Sequence, residues 1–335
     1  MGWPPRDTLG AMGLAVILVV GTEVLVRGPV SGLGKLPDYW DARAASRFEY
    51  YRLLVQEART PTMLVVGDST AARDLDVRLV ARESGVDSGL NIGWPANFPM
   101  ALECTTLPLL RLRPSPRFVV LSLSPKSLTD LPRIVEFEAG VLSSPICKEA
   151  LGGATVSRNV ALTRLRRSIP YLVDEAMRTG ATKPPPMMGF MPLGPVKKGE
   201  GNVGTTSSSN GPLRLSGRRL AVISEIARVL KHNNSTLIVV IPPTSDNSAT
   251  VTAVTAVRTA YRSAMDAMQS AGTLRLVDGM SPESPGGLSF YDWDHLDAAG
   301  AAEFSLWLGR KLRPMVGAGP RVLNGQPGER ERSMR

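Results

Sequence analysis

The sequence predicts an α/β domain, a parallel sheet covered by helices on both faces, preceded by an N-terminal transmembrane helix. Three observations predict it. Short apolar, β-branched runs bounded by Pro, Gly or polar residues recur along the chain. Segments of helical period separate the later runs. An uncharged apolar stretch lies close to the amino terminus. The chain has 335 residues, 43% apolar and 21% charged, enough to bury one sizeable core.

The strands come first in the argument. Thr62 to Val66 (TMLVV) lies between Pro61 and Gly67, and Phe118 to Leu123 (FVVLSL) and Thr236 to Ile241 (TLIVVI) have the same character. Leu274 to Val277 is a weaker fourth. Runs this uniformly apolar suit strands buried on both faces. Leu220, Ile223, Ala227 and Leu230 fall on one helical face, as do Val254, Val257, Tyr261, Ala264 and Met268, and Gly272 is placed to end the second helix. Asp297 is an N-cap for a last helix with Ala301, Phe304, Leu308 and Leu312 at core spacing. Reactive groups in such sheets gather at the carboxyl ends of the strands.

The flanking segments read differently. Thr8 to Thr22 is free of charge, and the apolar character runs on past Glu23 to Val26, about the length of a bilayer span. A membrane anchor is favoured over a buried core helix, because few neighbours could bury so early a stretch. A cleaved signal peptide stays open, although no small-x-small site follows. Arg6 lies before the span and Arg27 and Lys35 after it, so the positive-inside count gives no orientation. Residues 1–27 are thus anchor or signal, 28–60 a linker and leading helix, 61–316 the α/β domain, and 317–335 a disordered polar tail. Residues 131–216 form an insertion. It carries Arg158, Arg164, Arg166 and Arg167 on what reads as a solvated helical face, and a loop or lid from Thr182 to Gly211.

Charge and cysteine content narrow the partners. The net charge of +9 suits anionic surfaces, but aromatics make up only 5% and no basic run interleaves with them, so nucleic-acid binding is not expected. Cys104 and Cys147 have no metal-ligand spacing and are either two buried thiols or one disulfide. In an exported domain a bridge would contribute about 3 to 4 kcal/mol.

The chemistry centres on two segments. Val65-Val66-Gly67-Asp68-Ser69-Thr70 puts a serine just past a strand-ending glycine, where its hydroxyl would stand at the sheet edge. Alone, Gly-Asp-Ser is also an ordinary turn. Tyr291-Asp292-Trp293-Asp294-His295-Leu296-Asp297 places Asp-x-x-His before the last helix. A serine needs a base that titrates near neutrality, and the base needs a carboxylate to fix its tautomer, which Asp292 supplies from one tight turn. Asp68 reads as a structural turn residue and Asp294 as a solvent-facing alternative to Asp292. The other histidine, His232, belongs to a helix end, which leaves too few histidines for a histidine-rich metal centre; no metal and no cofactor is expected.

These two blocks, in this order, resemble the first and last signature blocks of the SGNH/GDSL hydrolase and acyltransferase superfamily. The resemblance spans roughly Pro61 to Leu312 and implies a three-layer, flavodoxin-like sandwich with Ser69, Asp292 and His295 as a catalytic triad. Asn91-Ile92-Gly93-Trp94-Pro95-Ala96-Asn97 is similar to the second block, which implies an oxyanion hole from the N–H groups of Ser69 and Gly93. The third block, Gly-x-Asn-Asp, is missing: Ser122-Leu123-Ser124-Pro125-Lys126 follows the corresponding strand. Asn97 is the candidate replacement donor, or else a structural residue of its turn. The N-terminal apolar stretch, Ile241-Pro242-Pro243 and the Phe290-Tyr291 pair look similar to the membrane-anchored branch that acts in cell-envelope polysaccharide O-acetylation and teichoic-acid D-alanylation. That resemblance implies a domain outside the cytoplasmic membrane, a polysaccharide or acyl ester substrate, and a membrane-bound O-acyltransferase as partner. A carbohydrate esterase, or a non-catalytic scaffold that kept the fold, are the alternatives.

Overall fold

The computed structural model describes residues 39–142, 147, 186–194, 214–245 and 251–317. The expected membrane anchor, the arginine-bearing segment from Arg158 to Arg167, most of the Thr182 to Gly211 loop and the tail beyond residue 317 lie outside the described residues. Among the described residues no helix is long and apolar enough to cross a membrane.

The elements follow in chain order: α1 (Tyr39–Gln56), β1 (Met63–Gly67), α2 (Ser69–Asp74), α3 (Val77–Ser84), β2 (Gly89–Asn91), α4 (Pro99–Thr105), α5 (Leu107–Leu110) and β3 (Phe118–Ser122). A 3₁₀ turn, Pro125–Leu128, leads to α6 (Pro132–Leu142). Then come α7 (Gly217–His232), β4 (Thr236–Ile241), α8 (Val251–Ser270), β5 (Arg275–Asp278) and α9 (Ala298–Gly317). All strand pairings are parallel, in the order β2-β1-β3-β4-β5. That is the flavodoxin-like order, whose topological switch point lies between β1 and β3.

Strand alternation builds the two faces. Leu64 and Val66, Val119 and Leu121, and Leu237, Val239 and Ile241 point to one side, where they meet α1, α5, α7 and Tyr261 and Met265 of α8. Met63 and Val65, Phe118 and Val120, and Ile238 and Val240 point to the other, against Val77 and Val80 of α3 and Phe304, Leu308 and Leu312 of α9. Each such fully buried side chain contributes about 1.5 to 3 kcal/mol. Helices on both faces make the predicted three layers, and the four predicted strands appear within a residue or so of their predicted bounds.

The edge strand β2 has only three residues, too short to show a pattern. It is flanked by a strap, residues 186–194, from the insertion. Met187 and Met188 there adopt left-handed φ values of 48° and 53°. At Gly189 (φ 93°) a Cβ would stand 1.9 Å from the Asn91 carbonyl oxygen, so the close approach demands glycine. Met191 N–H donates to Ala72 O and Ala298 N–H donates to Leu193 O, which ties the strap to α2 and to the start of α9. Cys104 of α4 and Cys147 of the insertion form a disulfide.

Candidate active site

The first predicted segment turns at Gly67. Its φ is 136°, and a Cβ there would lie 1.9 Å from the Ser122 carbonyl oxygen of β3, so no other residue fits. The chain then enters α2, capped by Asp68, whose Oδ1 accepts from Thr70 N–H and Oγ1 at 2.9 Å each. Asp68 Oδ2 accepts from Ser124 N–H at 3.0 Å, which ties the ends of β1 and β3 together. Burial pushes the Asp68 carboxyl above its ordinary range against the pull of these hydrogen bonds and of Lys126. Its role is the structural one expected.

Ser69 is therefore the first residue of α2, at the switch point and 9% exposed. At that position its own N–H has no partner within the helix. The second segment approaches from the start of α9. Asp292 Oδ1 accepts the N–H groups of Asp294 and His295 at 3.0 and 2.9 Å, so one carboxylate organises the turn. Leu296 N–H donates to Asp74 Oδ1 of α2 at 3.1 Å, and Asp297 caps α9 through Ala299 and Gly300.

These constraints bring the predicted trio together. The Ser69 hydroxyl lies 2.8 Å from His295 Nε2, and His295 Nδ1 lies 2.9 and 3.0 Å from the Asp292 oxygens. The consistent tautomer has Nδ1–H donating to Asp292 and Nε2 accepting from Ser69. Burial raises the Asp292 carboxyl, but its hydrogen bond and attraction to His295 and the N–H of Asp294 outweigh that and hold it well below the carboxylate range.

Two expectations change, and a choice left open by the sequence is made. Asp294 is not solvent-facing: it is 2% exposed, its Oδ1 stands 3.3 Å from His295 Nδ1, and its Oδ2 pairs with Lys126 Nζ, the positive charge that permits its burial. Gly93 N–H donates to Asn91 Oδ1 at 2.8 Å, so the expected oxyanion donor is engaged elsewhere. Asn97 is buried, accepts from Thr105 Oγ1 at 2.7 Å and donates to Thr106 Oγ1 at 3.4 Å, the structural of its two expected roles. Pro95 and Ala96 (φ 64°) form the turn that Asn97 N–H closes on Trp94 O, so its side chain is directed to the end of α4.

The structure adds two groups to the site. Lys126, in the 3₁₀ turn after β3, also lies 4.6 Å from the centroid of the Trp293 ring. Its sequence signal is its place in Ser122-Leu123-Ser124-Pro125-Lys126, where the resembled superfamily has Gly-x-Asn-Asp. Asp74 is fully buried, with Oδ2 unpartnered among the described residues, and burial drives its carboxyl well above the ordinary range, helped by the negative charges of Asp294, Asp68 and Asp292. Ligand atoms of Asp292, Asp294 and His295 come within 4.8 Å of one another, but Lys126 already supplies a cation to Asp294.

No protein-family model and no curated protein sequence matches the chain. Among solved structures it is similar to a protein of Desulfitobacterium hafniense named for the lipolytic G-D-S-L family, with 9% identity and a TM-score of 0.37 over 74% of this chain and 98% of that one. A Bacillus subtilis protein matches with 12% identity and a TM-score of 0.40, over 78% of this chain and 58% of that one. A Bacteroides fragilis protein named as an acylhydrolase matches with 12% identity and a TM-score of 0.34, over 79% and 96%. Likeness at this level carries no argument beyond the geometry already described.

Proposed function

We propose that the chain is a serine-dependent acyl hydrolase or O-acyltransferase of the SGNH/GDSL kind, acting outside the cytoplasmic membrane on ester-linked acyl groups of cell-envelope polysaccharide. The observation that carries this reading is the continuous relay from Ser69 through His295 to Asp292 at the β1/β3 switch point. His295 Nε2 takes the hydroxyl proton as Ser69 Oγ attacks the ester carbonyl, and Asp292 stabilises the imidazolium. The Ser69 N–H, left over at the start of α2, receives the developing oxyanion. His295 then protonates the departing alkoxide, which leaves an acyl-Ser69 ester. Water or a sugar hydroxyl, deprotonated by His295, resolves that ester. Water makes an esterase and sugar a transferase.

The finer parts of the reading rest on separate supports. The Cys104–Cys147 disulfide suits an oxidising compartment, as an extracytoplasmic domain requires. The membrane anchor and the partnership with a membrane-bound O-acyltransferase rest on the apolar stretch from Thr8 to Val26 and on the family resemblance. Transfer is favoured by the insertion, whose strap joins both segments that carry the trio and could help shield the acyl-enzyme from water. One observation favours slow chemistry or a binding scaffold: Gly93 N–H and the Asn97 amide are engaged elsewhere, and one missing oxyanion donor costs about 2.7 to 4 kcal/mol of transition-state stabilisation.

The test is product analysis with an activated acetyl ester as donor and an oligosaccharide as acceptor. Slow acetate release, diverted to acetylated sugar as acceptor rises and absent in Ser69→Ala, is the expected result. Acetate release from an acetylated glycan with no acylated acceptor at any concentration would leave the esterase. No Ser69-dependent turnover of any ester would leave the scaffold.

A further inference from the structure

A serine–histidine–carboxylate relay has no use for Asp294. A ring nitrogen carries one proton, and Asp292 already offers both oxygens to His295 Nδ1, at 2.9 and 3.0 Å. Asp294 Oδ1, 3.3 Å from the same nitrogen, is a second buried negative charge beside the base. Uncompensated, such a charge favours the protonated ring, in which the serine has no acceptor for its proton.

Lys126 supplies the compensation. Its Nζ meets Asp294 Oδ2 and rests against the face of Trp293. Its backbone is held tightly: Ser127 N–H and Oγ both donate to Ser124 O, at 2.9 and 2.6 Å, and Arg219 donates to Ser127 O at 3.2 Å. Ser124 N–H is fixed in turn by Asp68, the residue before Ser69. The position of the ammonium is thus set by the elements that set the serine.

We infer that Lys126 is a positioning residue whose ammonium, paired with Asp294 and seated on Trp293, cancels the second carboxylate and keeps His295 a competent base at neutral pH. The inference rests on the proposed function. Among the described residues, the charged groups bonded into the segments that meet His295 are Asp292 and Asp294 from its own segment, Asp68 and Asp74 from α2 and its cap, Lys126 from the 3₁₀ turn, and Asp297 at the start of α9. Asp74 adds little charge, because burial favours its neutral acid. Removing Lys126 therefore leaves the surroundings of His295 one unit more negative.

The experiment compares the wild-type chain with Lys126→Met, Lys126→Arg, Asp294→Asn and the Lys126→Met/Asp294→Asn double variant. Two readouts are taken: kcat/KM against pH for an activated acetyl ester, and the ring signals of the two histidines by NMR over the same range. Removal of a close opposite charge predicts that the acid limb and the His295 titration of Lys126→Met move up by about one pH unit or more. Lys126→Arg returns them, Asp294→Asn moves them down, and the double variant lies near wild type. Lys126→Met curves that coincide with wild type would overturn the inference. If Lys126→Met fails to fold, Asp294→Asn decides by its opposite sign, an unchanged or upward shift overturning it. A wild type without Ser69-dependent turnover sinks the proposed function, while the ring titration still decides whether Lys126 tunes His295.

Discussion

Two buried charge clusters flank the 3₁₀ turn Pro125–Leu128, and they are built to opposite ends. On one side Arg219 of α7 donates to Glu138 of α6 at 2.6 and 3.0 Å, to Ser127 O at 3.2 Å and to Asp130 at 3.2 Å, while Glu138 also accepts Met100 N–H of α4 at 2.7 Å. Its cation cannot lose its proton, and each charged group is matched. On the other side Asp292 and Asp294 face His295 Nδ1, Lys126 pairs with Asp294, and His295 Nε2 meets the Ser69 hydroxyl, the group that the proposed function uses. The closed cluster clamps α4, α6, α7 and the turn together. The open cluster uses the position so fixed.

The comparison breaks first at Arg219. Arg219→Met strands the buried Glu138 and should cost about 3 to 5 kcal/mol in denaturant unfolding, while adding Glu138→Leu should recover most of it. A cost under about 1 kcal/mol would mean that the cluster clamps nothing. The disulfide holds α4 as well, closing a sequence separation of 43 residues from α4 to the insertion. Cys104→Ser should cost about 2 to 4 kcal/mol, and equal unfolding midpoints with and without reductant would contradict that.

Asp74 sharpens the same contrast at the smallest scale. Its folded carboxyl is raised, so the stability it lends as a neutral acid is present at low pH and lost as pH rises through the raised value. Asp74→Asn keeps an acceptor for Leu296 N–H without a charge to bury. The variant should match wild type below about pH 4 and exceed it increasingly as pH rises, by about 1 kcal/mol or more at neutral pH. Thermal melts across that range check it, and a variant less stable at high pH would show that Asp74 is ionised in the fold.

What the sequence revealed follows the range of the interactions involved. β1, β3 and β4 are buried on both faces and so read as unbroken apolar runs, whereas β2 and α2, of three and six residues, leave no periodic trace. Asp292 and His295 were legible because three residues of one turn join them, and Ser69 because Gly67 marks its turn. The pairing of Lys126 with Asp294 is not legible in the sequence, because it exists only after β1, β3 and the approach to α9 converge at one sheet edge. The engagement of Gly93 N–H was illegible because its partner, the Asn91 side chain, is itself oriented by Ala71 O and Leu75 O of another segment, and the choice between the two expected roles of Asn97 depends on Thr105 and Thr106, eight and nine residues on.

The proposed function requires Ser69 to carry an acyl group during turnover, which intact-protein and peptide mass spectrometry after brief mixing with an activated acetyl ester would detect. The expected result is one acetyl group on the peptide containing Ser69, gone in Ser69→Ala and chased off by water or by sugar acceptor. Ester turnover that proceeds undiminished in Ser69→Ala, or an acetyl group found only on another residue, would contradict it.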